Sequence, residues 1–448
     1  MTVQEWLYSK ETVKRSMRSY AHFDLRTDLS HKRNYISSPE KITKHGFYPF
    51  IHYKIKTTVF NRATGIENKE RDICYAAHID RCIYQYYSFL LNQLYNKRVE
   101  EDDMYDVAVA YRTDLHTNNI FLAKKAFTTI QKLGQCYVMI GDFTHFFDTL
   151  NHNYLKEQWC SLLSCDTLPA DHYSVFKSVT SYSKWELEDL LQLNGLENSK
   201  SGRKELNKKL RVLSIKKFKE NRSHIIKHTQ CFGIPQGSPI SAVLANIYML
   251  DFDKTINNAI RKIGGLYMRY SDDFIIIIPN TEGINAKKEL NYVQQVVDNT
   301  PNITLKPQKT QYFYYKNGFL YNCGIQFSSD ANNKHKFINF LGFTFDGKSV
   351  SIRAKTISKY YYRMYRKAKT IAKSKGYTQT GKHISCENLY RKYSKCGATI
   401  SPGNSGNFLT YVSRAELEYR QNDLNADNTI IKDTKHHMAK IRKALNKK

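Results

Sequence analysis

The chain has 448 residues, and its 69 Lys and Arg against 41 Asp and Glu leave a formal charge of +28, a balance that suits a polyanionic partner. No run of about 18 apolar residues is present to cross a bilayer, and Met1–Tyr20 carries charges throughout in place of a signal-peptide apolar core. Nine cysteines, scattered and without a CxxC, give no disulfide framework, so a cytoplasmic nucleic-acid protein without membrane association is expected.

In chain order, residues 1–56 open with a Lys/Arg-rich helical stretch and pass into Ser37–His52, interrupted by Pro39, Gly46 and Pro49. They form an extension that packs on the following domain or grips RNA. A short strand is expected at Thr57–Val59, a loop over Asn61–Asn68, a strand carrying Arg71 and Ile73, and a long helix from His78 to Tyr95. Ala110–Ile130 has a polar start and a helical end. Tyr137–Ile140 reads as a buried strand with Asp142 at its end, followed by a helical Thr144–Trp159.

Thr167–Leu196 also reads as helical. Asn198–His228 is strongly basic and helix-prone, with Leu206, Leu210, Leu213 and Phe218 at roughly helical spacing. A solvated charged helix is the default there, and an RNA-binding insertion suits so positive a segment equally. In Gly233–Asp253, Pro235 fixes the approach of the chain, Gly237 lets backbone come close to a ligand, and Gln236 offers both donor and acceptor. Tyr267–Tyr270 and Phe274–Ile278 are β-prone runs with Ser271, Asp272 and Asp273 at the turn between them. Ile284–Asp298 reads as helix, Ile303–Tyr315 as a strand region, and Val350–Lys448 as helical and basic. The tyrosines of Lys359–Lys369 either stack on bases or pack on a core.

Two carboxylates beside a buried apolar sheet lose hydration and repel each other, which raises their pKa unless cations hold them ionised. An isolated Asp-Asp pair is usually a solvated turn. If the strand ending in Asp142 lies beside the hairpin, however, three carboxylates converge at one sheet edge. That set suits two Mg²⁺ ions about 3.5 to 4 Å apart in an in-line phosphoryl displacement.

These segments, in this order, resemble the bacterial reverse transcriptases that include group II intron and retron enzymes. Tyr270-Ser271-Asp272-Asp273 is similar to the YADD box, with Ser for Ala, and Ile234–Pro239 to the PQG box, continued by Asn246–Asp253. Asp142–Phe147 resembles the first catalytic block, Lys69–Arg81 and Ala110–Ile130 the two fingers blocks, and Lys309-Thr310 and Phe340-Leu341-Gly342 the later KT and LG blocks. The resemblance covers roughly residues 50 to 350. It implies an α+β right-hand polymerase with fingers over 57–132, a ferredoxin-like palm over 133–159 and 231–349, a basic helical insertion over 160–230 and a basic helical thumb over 350–448.

The activity implied is RNA-directed DNA synthesis. The resemblance makes Asp142, Asp272 and Asp273 catalytic metal ligands, adds the backbone carbonyl of Phe143, and implies two Mg²⁺ ions, with Mn²⁺ as the alternative. Because consecutive strand residues point to opposite faces, Asp273 is expected to assist, and only to shape the site unless the turn redirects it. Lys69, Arg71, Gln236 and Gly237 would hold the incoming deoxynucleoside triphosphate, Arg71 through its planar fork. Phe147 would lie beneath the sugar and reject a 2′-OH, and Lys309 would be a general acid near the leaving pyrophosphate.

The implied partners are an RNA template and a DNA product. The last hundred residues carry neither RNase H acids, nor paired Cys/His motifs of an intron-type endonuclease, nor the Val-Thr-Gly of retron thumbs. With the extension and the basic insertion, the chain therefore looks most like defence-associated antiphage reverse transcriptases that use a structured noncoding RNA. The type 3 systems, which pair two reverse transcriptases, are the nearest in kind, so a second reverse transcriptase subunit or a second copy of the chain is a further expected partner. A template-independent or protein-primed polymerase of the abortive-infection kind would keep the same acids, as would an RNA-dependent RNA polymerase. A non-catalytic RNA-binding scaffold has no reason to keep clustered carboxylates.

Overall fold

Five consecutive apolar, β-prone residues cannot alternate between core and water, so Phe274–Ile278 must be covered on both faces of whatever sheet it joins. The structure, a computed structural model, describes residues 1–61, 65–112, 114–327, 335–377, 381, 383–384, 386–401, 405–420 and 429–446. Its strands are β1 (Phe50–Asn61), β2 (Gly65–Tyr75), β3 (Gln135–Asp142), β4 (Ser183–Glu186), β5 (Ile226–Lys227), β6 (Leu266–Tyr270), β7 (Asp273–Pro279), β8 (Gln311–Lys316), β9 (Phe319–Asn322), β10 (Ile338–Phe340), β11 (Phe343–Phe345) and β12 (Val350–Ile352). They form sheets ordered β2-β1-β4-β5, β6-β7-β3-β8-β9 and β10-β11-β12. With the helices between them, the architecture is the expected α+β class.

The five-stranded palm sheet divides two cores. Phe274, Ile276, Ile278 and Met139 face one, which holds the helices Ser241–Tyr248, Leu250–Lys262 and Ala286–Asn299. Ile275, Ile277, Val138 and Ile140 face the other, shared with the helix Asn119–Leu133 and the thumb. Each isoleucine of β7 is fully buried, worth about 1.5–3 kcal/mol apiece. That is why the run FIIII is continuous.

The fingers sheet departs from expectation in three places. The short strand expected at Thr57–Val59 is the outer half of the twelve-residue β1, which begins inside the region assigned to the extension. The expected loop over Asn61–Asn68 is shorter, because β2 already pairs with β1 from Gly65; residues 62–64 lie outside those described. The insertion is not one helical body. It gives the helices Ala170–Thr180, Leu187–Gln192, Lys200–Leu206 and Ile215–Glu220, together with β4 and β5. β4 runs parallel to β1 with Trp185 opposite Ile51, and Trp185 is fully buried. Ser199 and Ser214 cap the two basic helices by accepting from the N–H groups of Gly202 and Lys217, so the basic stretch breaks at its serines. The helix expected over Thr144–Trp159 likewise splits, and Asn151 caps its second part, His152–Leu163.

The N-terminal residues pack on the fingers. Trp6 stacks on Phe89 at 4.9 Å between ring centres. Asp24 accepts from the backbone N–H groups of His78 and Ile79 at 3.1 and 2.9 Å, capping the helix His78–Glu101, whose own Ala77 cannot. The thumb is built on the helix Ala354–Lys373 with Glu387–Tyr393, Phe408–Arg420 and His437–Leu445. Its tyrosines divide: Tyr360 and Tyr361 are buried, while Tyr362 is exposed.

Candidate active site

Antiparallel pairing places β3 against β7 with Asp142 directly opposite Asp273, and side chains of directly opposed residues share a face. The turn before β7 reaches this register because Ser271 adopts a left-handed φ of 61°. Asp142 is buried and its carboxylate lies within hydrogen-bonding reach of Asp273. The Asp273 carboxyl is pushed up to about 7, first by burial among its neighbours, then by the charge of Asp272 and by its contact with Asp142; Lys309 opposes the rise. The acid facing Asp142 is therefore Asp273, with Asp272 entering as the adjacent charge. The left-handed Ser271 is the kind of turn that redirects the second acid, the condition attached to the alternation argument.

Lys309 forms an ion pair with the Asp142 carboxylate. The backbone N–H of Phe143 donates to the carbonyl of Asp272 at 3.1 Å, and the N–H of Lys306 to the carbonyl of Asp142 at 2.9 Å, so the acid-bearing segments are tied together directly. The ring of Phe143 is packed among Phe146, Phe252 and Phe274 beneath the acids. Gly141 is obligatory: a Cβ there would stand 2.2 Å from the Phe274 ring.

A group that sequence reasoning missed holds the turn from behind. Arg269, fully buried, donates to Asp253 through Nε at 2.8 Å and Nη2 at 2.5 Å, and through Nη1 to the carbonyl of Ser271 at 2.9 Å. Asp253 also accepts from the Tyr267 hydroxyl at 2.8 Å. The Arg269 pKa is raised by this carboxylate despite the opposing effect of burial. Tyr111, in the second fingers block, meets the Ser271 hydroxyl at 3.0 Å. The available signal was a single arginine inside an apolar strand, which needs a buried acid.

The PQG segment joins the free edge of the fingers sheet, where the carbonyl of Gln236 accepts from the N–H of Cys74 at 2.7 Å. Gly237, at φ 107°, would place a Cβ 2.6 Å from the Cys74 carbonyl oxygen. The glycine here allows a close approach to β2. The Gln236 amide lies 3.5 Å from Asp148. Phe147 is half-buried beside this segment, its carbonyl accepting from Ile234 at 2.9 Å. Lys69 and Arg71 are exposed on β2, two residues apart and so on one face. Lys69 comes near enough to Lys355 of the thumb, together with Lys309, to lower the pKa of Lys355, behind burial as the larger cause.

Among the described residues, no three His, Cys, Asp or Glu side chains close into a preformed metal cage. The donor set nevertheless fits divalent cations. Two carboxylates face each other, one of them drawn towards the protonated form and the other compensated by a lysine ammonium, so the unmet demand at this point is positive charge.

The family model for reverse transcriptase (RNA-dependent DNA polymerase) matches residues 69–345, more than half of the chain. No curated protein matches it. Similar solved structures include the apo telomerase of Candida tropicalis truncated from its C-terminal domain, at 13% identity, 73% of this chain, 61% of that chain and TM-score 0.38. They also include the C. tropicalis telomerase in complex with a TWJ fragment of telomeric RNA, at 14%, 94%, 66% and 0.38, and the corresponding Candida albicans complex, at 11%, 98%, 73% and 0.37. The chain thus spans less than two thirds of the length of each of these C. tropicalis chains. The chain belongs to the reverse transcriptase family, the RNA-dependent DNA polymerases.

Proposed function

We propose that this chain copies RNA into DNA at the Asp142–Asp273 floor, extending a primer 3′-OH with deoxynucleotides. The observation that carries this reading is the cross-strand meeting of Asp142 and Asp273, with Lys309 on Asp142, where the palm sheet ends. Asp142, Asp272, Asp273 and the carbonyl of Phe143 would hold two Mg²⁺ ions, or Mn²⁺. When bound, these lower the pKa of the attacking hydroxyl and steady the triphosphate. Arg71 and Lys69 grip the phosphates from β2, and Gln236 and Gly237 shape the nucleotide pocket where the palm joins the fingers edge. Phe147 lies beneath the sugar and rejects a 2′-OH, and Lys309 offers charge and a proton on the leaving side.

The template is a dedicated structured noncoding RNA and the setting is bacterial antiviral defence in the cytoplasm, a reading supported by the sequence resemblance described above. A second reverse transcriptase subunit or a second copy of the chain completes the assembly. Isolating the protein and sequencing its bound RNA and any attached DNA tests this. DNA complementary to the copurified RNA is expected, and should be absent from Asp272→Ala preparations that still carry the RNA. DNA of a sequence unrelated to that RNA, made equally well after its removal, would instead assign a template-independent polymerase.

A further inference from the structure

The segment Cys231–Gly237 leads from the insertion into the PQG turn, and its backbone is held group by group. The N–H groups of Gly233 and Ile234 donate to the carbonyls of Leu150 and Phe147 at 2.8 and 2.9 Å, the carbonyl of Pro235 accepts from the Ser241 hydroxyl at 2.7 Å, and that of Gln236 from Cys74 at 2.7 Å. The carbonyls of Phe232 and Gly233 are each met by an imidazole: His228 Nε2 lies 2.8 Å from the first and His152 Nε2 lies 2.7 Å from the second. A carbonyl oxygen only accepts, so both rings carry a proton on Nε2. Burial, and to a lesser extent the nearby His228, hold the His152 pKa below its ordinary value against the opposing bond to Gly233, so that ring is uncharged at neutral pH.

The two imidazoles come from different parts of the chain. His152 opens the palm helix His152–Leu163, and its own N–H donates to the Cys231 carbonyl at 3.0 Å. His228 follows β5 of the insertion; its N–H donates to the Tyr182 carbonyl at 2.8 Å, and its ring stacks on the Tyr182 ring at 4.6 Å and 14°. Tyr182 leads into β4 and meets Phe50 of β1 edge-on at 5.8 Å. At the far end of β4, Glu186 accepts from His52 Nδ1 at 2.6 Å, while His52 Nε2 donates to Asp72 of β2 at 2.8 Å. β4 is thus fastened to the fingers sheet at both ends, and His228 is carried on it. Through that one ring the insertion reaches a palm carbonyl just ahead of Pro235.

We infer that His152 and His228 are positioning residues of the nucleotide pocket: one from the palm and one from the insertion, they hold the strand that sets Gln236 and Gly237, and the insertion thereby governs how tightly the incoming deoxynucleoside triphosphate is bound. Each acts through the backbone it fixes. Losing either ring leaves a carbonyl without its donor, and the strand carrying Gln236 must then be ordered when the nucleotide arrives, which weakens binding and spares the chemical step. The inference rests on the polymerase reading for the identity of the bound nucleotide.

Steady-state extension of an oligo(dT) primer on a poly(rA) template with dTTP, using the full-length protein, tests it. His228→Leu and His152→Leu are each expected to raise KM for dTTP about tenfold, with kcat within about twofold of wild type. His228→Gln, whose amide donates from nearly the position of Nε2, is expected to bring KM back to within about threefold of wild type. An unaltered KM in folded His228→Leu, a fall in kcat alone, or a rise in KM that His228→Gln shares in full would overturn the inference; His152→Leu decides in the same way should His228→Leu not fold. Hydrogen exchange read by mass spectrometry, on the same preparations without nucleic acid or nucleotide, follows the strand itself. The amides of Gly233 and Ile234 are expected to exchange about tenfold faster in His228→Leu than in wild type or His228→Gln, and unchanged exchange would overturn the clamp. A wild type that extends no primer would remove the polymerase reading and leave exchange to decide the clamp, so the two failures are told apart.

Discussion

Replacing Arg269 by Met separates what holds the catalytic turn from what holds the fold. Arg269 is fully buried and Asp253 nearly so, and the Asp253 carboxylate accepts two hydrogen bonds from the arginine and a third from Tyr267. Removing one partner of a buried pair leaves an uncompensated charge, which costs about 3–5 kcal/mol. Adding Asp253→Asn removes that charge while keeping an acceptor for Tyr267, and about 2 kcal/mol or more of the loss should return. The carbonyl of Ser271, however, stays without its donor in both variants. A residue held at a left-handed φ of 61° persists only where its surroundings fix it, at a cost of about 1–3 kcal/mol, so the turn loosens and Asp272 and Asp273 lose their register. Urea unfolding and primer extension on an RNA template, run on both variants, are the assays. Stability is expected to fall and partly recover, with kcat low in both. A double variant that regains stability and full kcat together would refute the positioning role, and a single variant costing under about 1 kcal/mol would refute the buried-charge reasoning.

Gly237→Ala puts a methyl 2.6 Å from the Cys74 carbonyl at φ 107°; a loss above about 1 kcal/mol in unfolding and a raised KM for deoxynucleotides are expected, and an unaltered stability would contradict the tight joint with β2. Phe147→Ala should raise ribonucleotide use about tenfold or more, measured as the ratio of kcat/KM values for the two sugars; an unaltered ratio places the ring elsewhere. Burial drives the His22 pKa from 6.5 down to about 3. The unfolded chain therefore takes up a proton that the folded one refuses, and stability, complete above pH 6.5, declines as pH falls towards 3. The decline amounts to about 2 kcal/mol by pH 5. His22→Gln should flatten that part of the acid-unfolding profile, and an unchanged profile would rule the residue out.

The strands flanking the acids were legible because apolar runs and a short polar turn are local signals, and β3 and β7 fall where those runs do, although Asp273, expected in the turn, already pairs as the first residue of β7. The meeting of Asp142 with Asp273 was only half legible: one residue of turn geometry at Ser271 decides which acid faces across the sheet, and spacing does not encode it. Arg269 was readable as an anomaly, a cation amid LYMRY, but its partner sixteen residues upstream was not. The insertion misled because its strands are only four and two residues long, and the pairing of Trp185 beside Ile51 is non-local, whereas helix periodicity sees only neighbours. Gly237 showed the need for close approach without saying to what.

The most direct test of the paired acids is primer extension on an RNA template by Asp142→Asn, with RNA binding measured on the same preparation. Removing the charge that faces Asp273 is expected to lower nucleotide incorporation by about a thousandfold or more, as loss of about 4 kcal/mol of transition-state stabilisation requires, while RNA is retained as in the wild type. Incorporation at the wild-type rate in that variant would contradict the assignment of this sheet end as the site of DNA synthesis.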